Sequence, residues 1–314
     1  MTRCDGRTRN ARPCALSISR YCWLLAALTL ATACLPKQAT RTTRPTPDLH
    51  PWVEQTVRST DSGSTYSVMR LQGPADAPVL LLLHGGIFDN RLFYYMLTRS
   101  RRFTVVAPQY PDNSLFYTGH VADWGKVVTD FLKAADLQPD YVAAVSNGAY
   151  GAIEYLLQNP DHRVKQLFLI STVMFGISEE EVRKRTRFAK LALSFAPGRL
   201  QGVVEKRALK TDYGDAPGKF SQPDFFFVRP YPYYYQVFRV PITQGRKKQD
   251  TMRIDIPVTV LHGTDDDVMA IRAAALTPRV FPHAEFIEMK GLGHDMVFSD
   301  ADAVVAVIFD RQKP

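Results

Sequence analysis

After Cys34 the sequence contains no cysteine, for all four (Cys4, Cys14, Cys22 and Cys34) lie within its first 34 residues. A disulfide framework and a thiolate metal site are thereby excluded from the rest of the chain, and any metal would depend on histidines and carboxylates. No HExxH pattern occurs, and His50, His120, His162 and His283 lack ligand spacing. Surplus charge is also scarce. The formal balance is +8 over 314 residues, and Arg3, Arg7, Arg9, Arg12 and Arg20 against Asp5 supply half of it from the leader alone. The remainder argues for solubility, and no basic stripe interleaved with stacking aromatics is present, so nucleic acid is excluded as a partner. Internal repeats are absent, and low complexity is confined to one proline-rich stretch near the N-terminus.

What is present begins with that leader. An arginine-rich start is followed by the apolar stretch Tyr21 to Ala33 and by small residues before Cys34. The stretch falls short of the roughly 20 residues needed to span a bilayer, and the polar flank follows at once, so residues 1–33 read as an export signal. Leu30-Ala31-Thr32-Ala33-Cys34 resembles a bacterial lipoprotein cleavage site, with Ala31 where leucine is commonest three places before the cysteine. The resemblance implies that Cys34 becomes a lipidated N-terminus held at a membrane, and Leu35 after it resembles lipoproteins sorted to an outer membrane. The alternative is ordinary cleavage after Ala31-Thr32-Ala33, which would leave a soluble periplasmic or secreted protein with one unpaired thiol. Residues 34–51 carry Pro36, Pro45, Pro47 and Pro51 among Thr, Lys and Arg, a composition that cannot build a core and reads as a disordered tether.

From Trp52 onward the pattern is that of a packed domain, with 46% hydrophobic and 22% charged residues in the chain as a whole. The alternating Val53 to Arg58 and the segment Thr65 to Leu71 predict an antiparallel start to a sheet. Short apolar runs at Pro78–His84, Phe103–Pro108, Tyr141–Val145, Val164–Ile170 and Ile256–His262 read as strands buried on both faces of a parallel sheet. A further short strand is expected over Glu285–Met289. Helical patterns fall between several of these, at Val121–Ala135 and Gly148–Gln158, so strand and helix alternate as in a doubly wound, mostly parallel α/β sheet. One stretch, 176–250, breaks the alternation and reads as an inserted cap. Its Ser178 and Glu181 have capping-box spacing, and its aromatics between Asp224 and Phe238 would form either cap core or the lining of an apolar acyl pocket. Arg183, Lys184, Arg185, Arg187 and Lys190 read as a solvated helix face. The core is thus expected over 52–175 and 251–314.

The chemistry-bearing residues stand at strand ends. The strand ending at Val145 runs into Ser146-Asn147-Gly148 and a helix that opens with small residues. Small side chains two places before and two places after a serine let strand and helix approach, so that its hydroxyl stands above the sheet over the positive end of the helix. Here those places hold Ala144 and Gly148. Taken alone, Ser146 is equally an N-cap residue. The segment resembles the nucleophile elbow of the α/β-hydrolase family, with Ala144 replacing the first glycine. Gly263-Thr264-Asp265-Asp266-Asp267 resembles that family's acid loop and selects Asp266, leaving Asp265 and Asp267 as solvated charges. Gly291-Leu292-Gly293-His294 resembles its histidine loop and selects His294. His84-Gly85-Gly86-Ile87 resembles its HG loop. The three motifs follow the chain order Ser, Asp, His that the fold requires.

The resemblance implies an α/β-hydrolase fold and a triad of Ser146, Asp266 and His294, with the backbone N–H of Asn147 and of Gly86, or next Ile87, as oxyanion donors. It implies no cofactor and no metal. The expected reaction is cleavage of a small acyl substrate, most naturally a carboxylic ester, through an acyl-enzyme. Amide or peptide cleavage of the aminopeptidase kind keeps the same triad, and a non-catalytic binding lipoprotein keeps only the fold. A dehalogenase would carry an aspartate where Ser146 stands. His84 and His262, each ending a strand before glycine, read as structural hydrogen-bonding residues.

Overall fold

The computed structural model describes residues 52–85, 90–111, 121–172, 254–266, 281, 284–294 and 296–311. The signal segment, Cys34, the tether, Gly86, Ile87, Asp267 and the segment 176–250 expected to form a cap all lie outside the described residues. Among those described, eight strands form one sheet in the order β1-β2-β4-β3-β5-β6-β7-β8. They are β1 (Trp52–Arg58), β2 (Thr65–Leu71), β3 (Val79–Leu83), β4 (Thr104–Pro108), β5 (Tyr141–Val145), β6 (Gln166–Ile170), β7 (Val258–Gly263) and β8 (Glu285–Met289).

The first two strands pair antiparallel, and β2 also meets β4 antiparallel, whereas every pairing from β4 through β3 to β8 is parallel. The antiparallel start expected from Val53 to Leu71 is therefore present. Its alternation does not bury a face of β1, however. Five of that strand's seven residues are exposed, with Val53 at 57%, because an edge strand has a neighbour on one side only. The interior strands β4, β5 and β6 are buried at every position, as their unbroken apolar runs require.

Within those strands successive side chains point to opposite faces, and the core divides accordingly. Leu81, Leu83, Val142, Ala144, Leu167, Leu169, Val258 and Val260 join one apolar cluster. Leu80, Leu82, Ala143, Val145, Phe168, Ile170 and Leu261 join the other. Helices α2 (Val121–Ala134) and α3 (Gly148–Gln158) cover the first face, and the Trp124 and Tyr150 rings meet edge to face across them at 5.7 Å. The second face is covered by α1 (Tyr94–Arg99) and by α4 (Met296–Ser299) and α5 (Ala301–Asp310) at the chain's end. The sheet is thus wound on both faces, with the carboxyl ends of β5, β6 and β7 side by side at one edge.

Candidate active site

Ser146 immediately follows β5, and its backbone takes φ +50°. For a residue with a β-carbon this left-handed conformation costs on the order of 1 kcal/mol or more, and such conformations concentrate at functional turns. The turn is held from both sides. Ser146 N–H donates to the Ile170 carbonyl of β6 at 2.9 Å, and Ala149 N–H donates back to the Ser146 carbonyl at 3.2 Å. Gly148 allows the helix to leave this close to the sheet, since a β-carbon there would lie 2.5 Å from the carbonyl oxygens of both Leu83 and His84. Overpacking of that kind costs about 1–3 kcal/mol.

The serine is not spent on capping. The N-cap position of α3 is Asn147, in helical geometry with no side-chain cap bond, and among the described residues the Ser146 hydroxyl makes no hydrogen bond. Ser146 is 8% exposed. Gly85 stands directly beside it, for a β-carbon on Gly85 would come 3.1 Å from that of Ser146.

Asp266 and His294 are brought together. The imidazole Nδ1 lies 2.9 Å from Asp266 Oδ2, with the carboxylate side chain fully buried and the imidazole 10% exposed. A buried carboxylate facing a ring nitrogen makes that nitrogen the donor, which leaves Nε2 as the unprotonated, basic nitrogen. The two loops that carry them are sewn to each other: Thr264 N–H donates to the Met289 carbonyl at 3.1 Å, Asp265 N–H to the Leu292 carbonyl at 3.0 Å, and Gly291 N–H to Thr264 Oγ1 at 2.8 Å. Gly263 makes the approach sterically open, since a β-carbon there would stand 2.1 Å from the Leu292 carbonyl oxygen. Asp265, one residue earlier, faces solvent.

His84 meets its expected structural role. It is fully buried, its Nδ1 lies 2.7 Å from the Gly85 carbonyl, and its Nε2 accepts from Tyr110 N–H at 3.3 Å. Burial pushes its pKa down to about 4, so the ring is neutral, with the proton on Nδ1. The segment before Gly86 is thereby fastened to the end of β4. His262 is buried as well. Its Nε2 lies 3.6 Å from Asp266 Oδ2, with both side chains fully buried. The four-residue spacing across the turn after β7 was the available signal, but spacing outside a helix does not fix direction. Among the described residues no three His, Cys, Asp or Glu side chains group to hold a metal ion.

The profile of the alpha/beta hydrolase family matches residues 80–307. The carboxylesterase YbfK of Bacillus subtilis (strain 168) is 31% identical over 129 residues, which are 38% of this chain and 42% of the relative. The match thus spans about two fifths of that relative's length. The crystal structure of carboxylesterase CesB (YbfK) from Bacillus subtilis aligns with a TM-score of 0.54 at 16% identity, covering 92% of this chain and 96% of that one. An epoxide hydrolase from Bacillus megaterium aligns with a TM-score of 0.63 at 11% identity, covering 82% of this chain and 99% of that one. At such identities these two likenesses are of fold, and the fold evidently carries more than one chemistry.

Proposed function

Because this chain belongs to the alpha/beta hydrolase family, we propose that it is a serine hydrolase that cleaves carboxylic esters through an acyl-enzyme, with Ser146 as nucleophile, His294 as base and Asp266 as its orienting acid. One observation carries the reading. A buried carboxylate and an imidazole pair at 2.9 Å on loops that follow neighbouring strands of the sheet edge where Ser146 occupies its left-handed turn.

The chemistry follows from charge placement. His294 Nε2 removes the proton from Ser146 Oγ as that oxygen bonds to the ester carbonyl carbon, and the cation formed on the ring is balanced by Asp266. The carbonyl oxygen becomes an oxyanion, for which the Asn147 N–H at the start of α3 is one donor, with Gly86 or Ile87 offering the second. Collapse breaks the ester C–O bond, and His294 returns the proton to the departing alcohol. Water then repeats the sequence on the acyl-enzyme, releasing the acid and restoring Ser146. The hydroxyl makes no bond with the imidazole at rest, in keeping with catalytic contacts that tighten only when substrate is bound. Ester cleavage is favoured over amide cleavage by the carboxylesterase among its relatives.

The sequence before Trp52 supports an exported protein held in a bacterial envelope by a lipid on Cys34, with 34–51 as tether, and the break in strand–helix alternation over 176–250 supports an inserted cap. The catalytic reading is tested by fluorophosphonate labelling of the purified enzyme and by assay with short p-nitrophenyl esters. Wild type should label and turn over. Ser146→Ala should do neither, losing on the order of 10⁶ in kcat, while its circular dichroism and urea midpoint stay close to wild type. An alanine variant that still hydrolyses near the wild-type rate would remove Ser146 as nucleophile.

A further inference from the structure

The strand β7 reads Val-Thr-Val-Leu-His-Gly and is buried along its whole length. Its fifth position is an imidazole with no exposed surface, at a place the strand could fill with another aliphatic side chain. Burying a polar ring without a partner is costly, and the group it faces is Asp266, whose Oδ2 lies 3.6 Å from His262 Nε2. The same oxygen receives His294 Nδ1 at 2.9 Å. One carboxylate oxygen therefore stands between two imidazoles, one at hydrogen-bond distance and one just beyond it.

We infer that His262 is a positioning residue for ester hydrolysis, presenting Nε2–H to Asp266 Oδ2 and so holding the carboxylate in the orientation that receives His294. The inference rests on the triad reading above. The tautomer follows from electrostatics, since a ring lone pair directed at a carboxylate oxygen repels it whereas N–H attracts it. At 3.6 Å the attraction is that of a dipole and a charge in a dry environment, where such interactions weaken little with screening. Removing this donor weakens one of the interactions that orient the carboxylate, so that His294 spends less time in the geometry that strips Ser146. His262 touches neither substrate nor the reacting atoms, so its effect belongs in turnover and not in binding.

The test compares His262→Leu, His262→Asn and His262→Gln in the full chain, assayed with a short p-nitrophenyl ester. Leucine removes the donor, asparagine places its amide too near the backbone to reach Oδ2, and glutamine carries its amide to about the position of Nε2. Leucine and asparagine should lower kcat about tenfold, within the range for coupled neighbouring side chains, with KM within about twofold, and glutamine should recover most of the loss. In an Asp266→Asn background, His262→Leu should cost less than about twofold more. A role in packing alone would instead lower the urea midpoint, leave glutamine no better than asparagine, and persist in the Asp266→Asn background. Should leucine fail to fold, the asparagine and glutamine pair decides the matter alone. Full kcat in His262→Asn, in an enzyme that still labels with fluorophosphonate and is silenced by Ser146→Ala, overturns this inference and leaves the triad standing. Loss of labelling in the wild type overturns both.

Discussion

Asp265 and Asp266 are adjacent in one loop and meet opposite surroundings. Asp265 is exposed and accepts from Thr264 Oγ1 at 3.0 Å, whereas Asp266 turns inward between two histidines. Only the inward carboxylate can set the tautomer of His294, so Asp266→Asn should lower kcat for p-nitrophenyl esters by about 10⁴. Asp265→Asn should stay within about twofold. The opposite ranking in steady-state assays would transfer the acid to the exposed residue. At His84 the consequence is for stability. Its folded pKa, about 4, is below the ordinary 6.5, so between those values the unfolded chain binds the extra proton. The corresponding stability is complete above pH 6.5 and is lost as pH falls towards 4, on the order of 3 kcal/mol in total. Urea unfolding from pH 7 to pH 4 should therefore show a decline that is shallower in His84→Gln. Equal slopes would mean the ring is charged in the folded protein.

At the scale of elements, the end of α2 illustrates how a short segment resolves its own backbone. Leu137 N–H donates to the Leu132 carbonyl at 2.9 Å and Asp136 N–H to the Lys133 carbonyl at 3.2 Å, the paired bonds of a Schellman cap. Leu137 then packs on the first apolar cluster. The left-handed position falls on Asp136, with φ +49°, where glycine is the usual occupant because a β-carbon is strained there. Asp136→Gly should therefore raise unfolding free energy by roughly 0.5–1 kcal/mol in urea titration, with ester hydrolysis unaltered. A destabilised variant would show that the carboxylate contributes more than the strain costs. Ser146 adopts the same backbone conformation just before α3, but the proposed nucleophile needs its side chain, so there the strain remains.

At the scale of the molecule, the sheet brings distant segments to one edge, and the proposed export and lipid attachment of the segment before Trp52 would set where the enzyme works. Among the described residues no helix is long and apolar enough to cross a membrane; the proposed attachment is a lipid on Cys34. Each buried methylene contributes about 0.8 kcal/mol, and several acyl chains hold a protein almost permanently where one holds it marginally. Expressed in a bacterium, the protein should fractionate with membranes and resist salt extraction, since apolar anchoring is not screened by ions. Cys34→Ser should abolish labelling by a fatty-acid analogue and transfer the esterase activity of processed protein to the soluble fraction. A wild type that is soluble with Cys34 unmodified would establish ordinary cleavage after Ala33.

Much of the fold was legible in the chain alone because its signals are local. The buried strands announce themselves as short apolar runs, and the structure ends them within two residues of those limits. Helix α3 begins at Gly148 and ends at Gln158 as its pattern predicts. The loops bearing Ser146, Asp266 and His294 could be named because each follows a short apolar strand and resembles a motif of the α/β-hydrolase family. The helices α1, α4 and α5 carried too little periodicity to be foreseen, since short apolar segments between loops do not reveal their partner. Sheet order, with β4 placed between β2 and β3, is a property of non-local pairing. So are the bonds that tie the acid loop to the histidine loop, and so is the placement of His262 against Asp266. Sequence determines which residues prefer burial and where the backbone must turn, but the direction in which a buried polar ring points depends on neighbours that only the assembled sheet supplies.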